Sequence, residues 1–270
     1  MERDCKTCTI GGGASCEGCD KPDIWSKGQR NTYLLLIVVL GILSAVNVYM
    51  PMGEIPGVDM ELPMPKHVFA IATFFIMVIL YGGLGYAALR LNPGLDLPGM
   101  WGKGEGFRNL VGKAAFYGIV LAVLFIFIDI MAAPLNGVGR LMHPPFPTSL
   151  VASTVAGIGE ELMFRLVVIT FLMWIFDKLF RSGARSGAFW TAAVIAALMF
   201  SVVHVPFVIA VAGRKEIQQF PPLLLVELIV LNGSLSLAAA DLYRKHGIVA
   251  AMVIHFVLDI VWHVVYGLYG

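Results

Sequence analysis

Seven stretches of almost wholly apolar residues alternate along the chain with polar segments rich in charge, proline and glycine. Each stretch approaches the roughly twenty residues that a tilted helix needs to cross the hydrocarbon layer of a membrane. The pattern therefore predicts an all-α, polytopic integral membrane helix bundle with about seven to eight transmembrane helices. The stretches are residues 32–49, 67–90, 111–132, 149–177, 188–212, 222–242 and 248–268.

Composition and charge support a protein of the cell membrane. The chain is 58% hydrophobic and 14% charged, and its mean hydropathy is +0.81. A net charge of +1 offers no electrostatic basis for binding nucleic acid. Of the lysines and arginines, 14 fall in the segments that are cytosolic if the N-terminus is inside, against 4 in the outer segments. This asymmetry predicts a cytosolic N-terminus. The first thirty residues are polar and the first apolar run can span, so no cleavable signal peptide is expected.

The fourth stretch is longer than a span requires. Its 29 residues correspond to roughly 43 Å of helix, at 1.5 Å per residue. We expect this helix either to project from the membrane or to break near Gly157 and Gly159.

Residues 1–30 form a separate cytosolic tail that contains all four cysteines. Two closely spaced cysteine pairs can surround a tetrahedral zinc ion. The tail is therefore interpreted as a structural zinc knuckle, with an unstructured or redox-active tail as the alternative, while residues 31–270 form the transmembrane domain. The four possible zinc ligands are Cys5, Cys8, Cys16 and Cys19.

Three ionisable residues interrupt the fourth apolar stretch, namely Glu160, Glu161 and Arg165. Charge at the centre of a bilayer costs roughly 2.5 to 3.5 kcal/mol per residue, so each group needs a partner or a wet cavity. Glu161 and Arg165 are four residues apart and lie on one face of a helix, where they can neutralise each other. Glu160 points about 100° away. The spacing leaves Glu160 as the unpaired carboxylate.

Later spans add His204, His255 and Asp259 at similar depths. Such groups around one wet pocket suit two kinds of chemistry: a carboxylate and a histidine can activate water, or the same groups can hold a divalent metal that generates hydroxide. The sequence lacks the His-Glu-x-x-His zinc signature. We interpret the remaining polar residues of the spans as structural; they are Asp129, Glu227, Asn232 and His263.

Three ordered motifs between residues 150 and 260 resemble those of the CAAX protease and bacteriocin-processing family. This family of integral-membrane proteases, also called the ABI family, includes the Ras-converting CAAX endopeptidase. The order and spacing of the motifs are specific, although each motif alone is weak. The motifs are Glu-Glu-x-x-x-Arg at Glu160, Glu161 and Arg165; Phe-x-x-x-His at Phe200 and His204; and His-x-x-x-Asn/Asp at His255 and Asp259.

The resemblance implies an intramembrane glutamate protease acting on a peptide or a lipidated protein at the lipid membrane, such as a prenylated C-terminus. Glu160 and His204 would activate the attacking water, and His255 and Asp259 would stabilise the oxyanion. No cofactor would be required for catalysis. CAAX endopeptidases of this kind have asparagine where this chain has Asp259.

Glu161 and Arg165 would orient the pocket or the end of the substrate, by the same resemblance. Two alternatives from other classes stay open. One is a membrane binding or immunity protein that keeps the polar pocket without turnover, and the other is a proton-coupled transporter that uses the same groups as a relay.

Overall fold

The structure, a computed structural model, describes residues 26–51, 62, 64–95, 97–102, 106–180, 185–211 and 221–269. These residues form helices and connecting segments with no strand, so the all-α prediction is confirmed. The proposed zinc ligands Cys5, Cys8, Cys16 and Cys19 lie outside the described residues.

Within the described residues, eight α-helices cover the predicted apolar stretches. Wider turns of the π type join α4 to α5 at Leu162–Ile169 and continue α8 through Ile260–Val265, after which Tyr266–Leu268 forms a 3-10 turn. The helices are α1 (Lys27–Asn47), α2 (Lys66–Leu95), α3 (Phe107–Ala132), α4 (Thr148–Glu161), α5 (Thr170–Phe180), α6 (Arg185–Val211), α7 (Pro222–His246) and α8 (Ile248–Asp259).

Six helical segments of the described chain are long and apolar enough to cross a membrane. The predicted fourth stretch divides instead into α4, the π turns and α5, each too short to span alone. The expected break near Gly157 and Gly159 does not occur, because α4 continues through both glycines to Glu161. The irregular turns begin one residue later, at Leu162.

The two glycines of α4 allow close helix packing. A Cβ atom on Gly157 would lie 3.1 Å from Cβ of Phe256, on α8. A Cβ atom on Gly159 would lie 3.3 Å from a methyl carbon of Leu40, on α1. Small residues at such positions let helix backbones approach inside a membrane. Gly157 therefore lets α4 approach α8, and Gly159 lets it approach α1.

Helix α8 lies at the centre of the bundle, in contact with α3, α4 and α7, while α2 packs on α1 and α6 packs on α7. A tight turn at Gly247, with φ of 95°, separates α7 from α8. A Cβ atom there would lie 2.8 Å from the backbone nitrogen of Trp101. Glycine is needed on both counts, because φ is positive and the neighbouring backbone is close.

Gly118 sets the distance between α3 and α8. A Cβ atom at Gly118 would lie 2.7 Å from the carbonyl oxygen of Ile254. We expect Gly118→Ala to lower the free energy of unfolding by about 1–3 kcal/mol, the usual cost of overpacking. Thermal unfolding in detergent measures the effect. Gly112→Ala is the matched control on the same helix, since a Cβ atom there meets nothing within 4 Å. Equal midpoints for the two variants would contradict this packing argument.

Candidate functional site

The two adjacent glutamates at the end of α4 have different surroundings. Glu161 is fully buried, and its Oε2 lies 3.0 Å from Nε of the equally buried Arg165. The Arg165 guanidinium also stacks over the ring of Phe200, 4.7 Å from the ring centroid. Glu160 keeps 32% of its side chain exposed. The pairing inferred from the spacing is present, and Glu160 is the carboxylate left accessible.

His255 connects both glutamates to α8. Its Nδ1 lies 2.7 Å from Oε1 of Glu161, so a proton on Nδ1 is donated to that carboxylate. Its Nε2 faces the other way, 3.7 Å from Oε2 of Glu160 and 3.5 Å from Oδ2 of Asp259. Sequence reasoning placed His255 beside Asp259 but did not predict its hydrogen bond with Glu161.

His204 approaches Glu160 from α6. Its Nδ1 lies 2.6 Å from the carbonyl oxygen of Phe200, which can only accept, so Nδ1 carries the proton. In the neutral ring Nε2 is then the acceptor, and it lies 3.9 Å from Oε2 of Glu160. Two atoms at this separation can share one water oxygen placed about 3 Å from each, the reach required for general base catalysis.

A cavity of about 740 Å³ contains these groups, a size typical of ligand sites. Its wall includes all four side chains predicted to be catalytic, which are Glu160, His204, His255 and Asp259. Glu161 and Arg165 are not among its lining residues and lie fully buried. The structure thus places four residues on the cavity wall, of which Glu160 and His204 are partly exposed, and encloses behind them a buried ion pair that contacts His255.

The connection 133–147 lines part of the same cavity, and sequence reasoning did not include it. His143 lies in this connection, with its Nδ1 3.0 Å from Nδ1 of His263. Burial lowers the pKa of His143 to about 4, so this imidazole is neutral at neutral pH. Helical periodicity carries no signal for such a residue, because the connection is irregular.

Three of the polar residues interpreted as structural, Asp129, Glu227 and Asn232, make hydrogen bonds within the protein. Asp129 accepts hydrogen bonds from the backbone nitrogen of Leu141, at 2.9 Å, and from the hydroxyl of Tyr266, at 3.1 Å. Glu227 accepts one from the side chain of Asn136, at 2.8 Å. Both carboxylates therefore hold the connection 133–147 against the helices. Asn232 donates to the carbonyl of Leu228, one turn earlier on its own helix.

Metal binding was the alternative chemistry for this pocket. Across the described part of the chain, no three or more His, Cys, Asp or Glu side chains form a group that could hold a metal ion. The ionisable side chains of the cavity instead approach one another in pairs. Oε2 of Glu160 lies 3.9 Å from Nε2 of His204 and 3.7 Å from Nε2 of His255.

One comparison with known proteins finds a family model that matches part of the chain. Residues 143–261 match the family model described as type II CAAX prenyl endopeptidase, Rce1-like. No curated protein and no solved structure matches the chain. The matched segment contains all seven motif residues from Glu160 to Asp259, so the resemblance identified from those motifs is confirmed.

Proposed function

We propose that this integral membrane protein, whose residues 143–261 match the Rce1-like family model of type II CAAX prenyl endopeptidases, is an intramembrane endopeptidase. Its substrate would be a membrane-associated peptide or protein, such as a prenylated C-terminus. The observation that carries the proposal is the position of Glu160, an accessible carboxylate with imidazoles at 3.9 and 3.7 Å inside one cavity. Ionisable groups grouped within the membrane are expensive, and they mark function by default.

In this mechanism Glu160 is the general base. A water molecule between Oε2 of Glu160 and Nε2 of His204 loses a proton to Glu160 as its oxygen attacks the scissile carbonyl carbon. The carbonyl electrons move onto the carbonyl oxygen and form a tetrahedral oxyanion. When the oxyanion collapses, the C–N bond breaks and Glu160 returns the proton to the leaving amine. The substrate ends as a carboxylic acid and a free amine, and Glu160 is again ionised.

His255 and Asp259 would stabilise the oxyanion. Nε2 of His255 and Oδ2 of Asp259 are 3.5 Å apart at the cavity wall. A proton held by either atom supplies a donor toward the developing negative charge. The hydrogen bond that Nδ1 of His255 donates to Glu161 holds the imidazole in this orientation. Asp259 can therefore take part in stabilising the oxyanion, although CAAX endopeptidases of this kind have asparagine at this position.

A cleavage assay in liposomes tests the function. The purified protein is mixed with peptides that carry a prenylated cysteine near the C-terminus, and the products are identified by mass spectrometry. We expect His204→Ala to lower kcat/KM by about 10²–10⁴-fold, the range for loss of a group that assists proton transfer. His67→Ala is the matched control, because His67 is an exposed residue of α2 outside the cavity lining.

Other outcomes of the same experiment would reject the proposal. Full activity of His204→Ala would contradict the role of His204 in activating water. Peptide binding without products would favour a binding protein, and solute flux without products would favour a transporter. Cleavage that persists after chelator treatment would support water activated by glutamate, whereas loss restored by added metal would favour metal-bound hydroxide.

A further inference from the structure

The wall that α7 contributes to the catalytic cavity contains an asparagine within an apolar helix face. Among the described residues that line the cavity, Asn232 is the one polar residue from α7, and the others are Leu228, Leu231 and Leu235. These four positions are separated by three or four residues in the way that places them on one face of a helix. A side-chain amide in such a wall is costly unless its hydrogen-bonding groups find partners.

Asn232 makes one hydrogen bond, within its own helix. Its side chain lies 3.0 Å from the carbonyl oxygen of Leu228, which can only accept, so the atom in contact is the amide nitrogen Nδ2. This bond uses one of the two Nδ2 protons. The second proton and the oxygen Oδ1 have no partner among the described residues. Because Asn232 is half-buried and lines the cavity, both groups are available to a molecule inside it.

Two buried asparagines of the bundle are used differently. Oδ1 of Asn92 accepts a hydrogen bond from the hydroxyl of Thr170, at 3.1 Å. Oδ1 of Asn136 accepts two hydrogen bonds, both at 2.9 Å, from backbone nitrogens of its own connection. These side chains join separate parts of the chain, whereas the bond of Asn232 only closes on the preceding turn. Packing therefore accounts for Asn92 and Asn136 but does not require an amide at Asn232.

Asn232 lies level with the catalytic part of α6. A Cβ atom on the adjacent Gly233 would lie 3.8 Å from Oγ of Ser201, so α7 meets α6 at this point. Ser201 precedes His204 by three residues within α6, which corresponds to roughly 4.5 Å along the helix axis. Asn232 is thus within about one helical turn of the level of His204.

A peptide backbone supplies the groups that this amide lacks. Each residue of an extended peptide carries one N–H donor and one C=O acceptor, and the free groups of Asn232 are an acceptor and a donor. A peptide that enters the cavity loses its hydrogen bonds to water, so each backbone group needs a new partner. A hydrocarbon chain has no such groups and would leave the amide of Asn232 unpaired. The chemistry of this position therefore favours a peptide over a lipid tail.

We propose that Asn232 is a substrate-binding residue whose Oδ1 accepts a hydrogen bond from one backbone N–H of the substrate peptide. The inference rests on the proposed endopeptidase function and deepens it. A contact with the backbone does not depend on side-chain identity, so it selects an extended peptide and not a particular sequence. Asn232 takes no part in the proton transfers assigned to Glu160.

The test replaces one backbone N–H of a prenylated peptide at a time by an ester oxygen, at every position except the scissile bond. The wild-type protein in liposomes should lose about 10-fold in kcat/KM at one position, the effect of losing a single hydrogen bond. Asn232→Leu should cleave the unmodified peptide about 10-fold less efficiently, mainly through a higher KM. It should lose nothing more when that position is an ester, because the two changes remove the same contact. Asn232→Gln keeps an amide and should recover part of the sensitivity.

Two controls separate this contact from an effect on folding. Leucine is close to asparagine in size and is apolar, so Asn232→Leu should keep or raise the thermal midpoint in detergent. Asn47→Leu is the matched variant, because Oδ1 of Asn47 also lacks a partner among the described residues but is buried and lies outside the cavity lining. Asn47→Leu should keep the wild-type KM and the sensitive position.

The possible results distinguish the role of Asn232 from the proposed function. A wild-type KM in Asn232→Leu, or a sensitive position that persists in this variant, would overturn the role of Asn232 and leave the proposed function standing. Equal cleavage of every ester peptide by the wild type would do the same. Failure of the wild type to cleave any peptide, including the unmodified one, would overturn the proposed function and the role of Asn232 with it.

Discussion

Glu160→Gln is expected to lower kcat/KM for peptide cleavage by about 10³-fold, within the range for loss of a general base. Glutamine has nearly the same size as glutamate, but its amide cannot accept the proton of the attacking water. The carboxylate oxygen it replaces lies 3.7 Å from His255 and 3.9 Å from His204. The two imidazoles would remain in place, so the lower kcat/KM would result from the missing general base and not from a changed cavity shape.

Single-turnover cleavage in liposomes measures this effect on the chemical step. The thermal midpoint of the variant should be close to that of the wild type, because the Glu160 side chain is 32% exposed and can be solvated. Asp241→Asn is the matched control: the Asp241 side chain is 33% exposed and pairs with Lys245, away from the cavity lining. Cleavage by Glu160→Gln at the wild-type rate would reject Glu160 as the base.

Glu161→Ala is expected to destabilise the protein by about 3–5 kcal/mol, the cost of leaving one member of a buried ion pair alone. Glu161 and Arg165 are both fully buried, with 3.0 Å between Oε2 and Nε. The substitution would leave the guanidinium without a carboxylate and would also remove the partner of His255 Nδ1. Equilibrium unfolding in detergent micelles measures the change in free energy.

A double variant distinguishes an uncompensated charge from a general loss of packing. Glu161→Ala with Arg165→Met removes both charges and should recover most of the lost stability, because a buried pair replaced by apolar groups is often neutral. Lys245→Ala breaks an exposed pair with the same spacing and should cost less than about 1 kcal/mol. A double variant as unstable as Glu161→Ala would contradict the charge argument.

Within one helix, the sequence was sufficient to predict contacts. Side chains four residues apart meet on a helix face whatever surrounds it, and the pairing of Glu161 with Arg165 follows from that rule. The helical stretches were predictable for a similar reason, since a bilayer requires long apolar segments with satisfied backbones. The position of the irregular turns was not predictable, because α4 continues through its glycines and changes only at Leu162.

Contacts between helices required the tertiary structure. Glu161 and His255 are 94 residues apart in the chain, and no local pattern indicates which of two adjacent glutamates faces which histidine. The irregular connection 133–147 adds Arg140 to the cavity wall, because Asp129 and Glu227 hold the connection against the bundle. Local sequence carries little information about such segments, since they lack a repeating geometry.

The sequence by itself predicted that the chain crosses a membrane as helices and that the candidate site residues Glu160, His204 and Asp259 lie at similar depths in its later spans. It also determined that Glu161 is the glutamate in register with Arg165, because helical spacing is a local property. Only the tertiary structure decided that Glu160 stays accessible between His204 and His255 while its neighbour is sealed. That division depends on how closely α4, α6 and α8 approach one another, and side-chain packing across the whole bundle sets those distances.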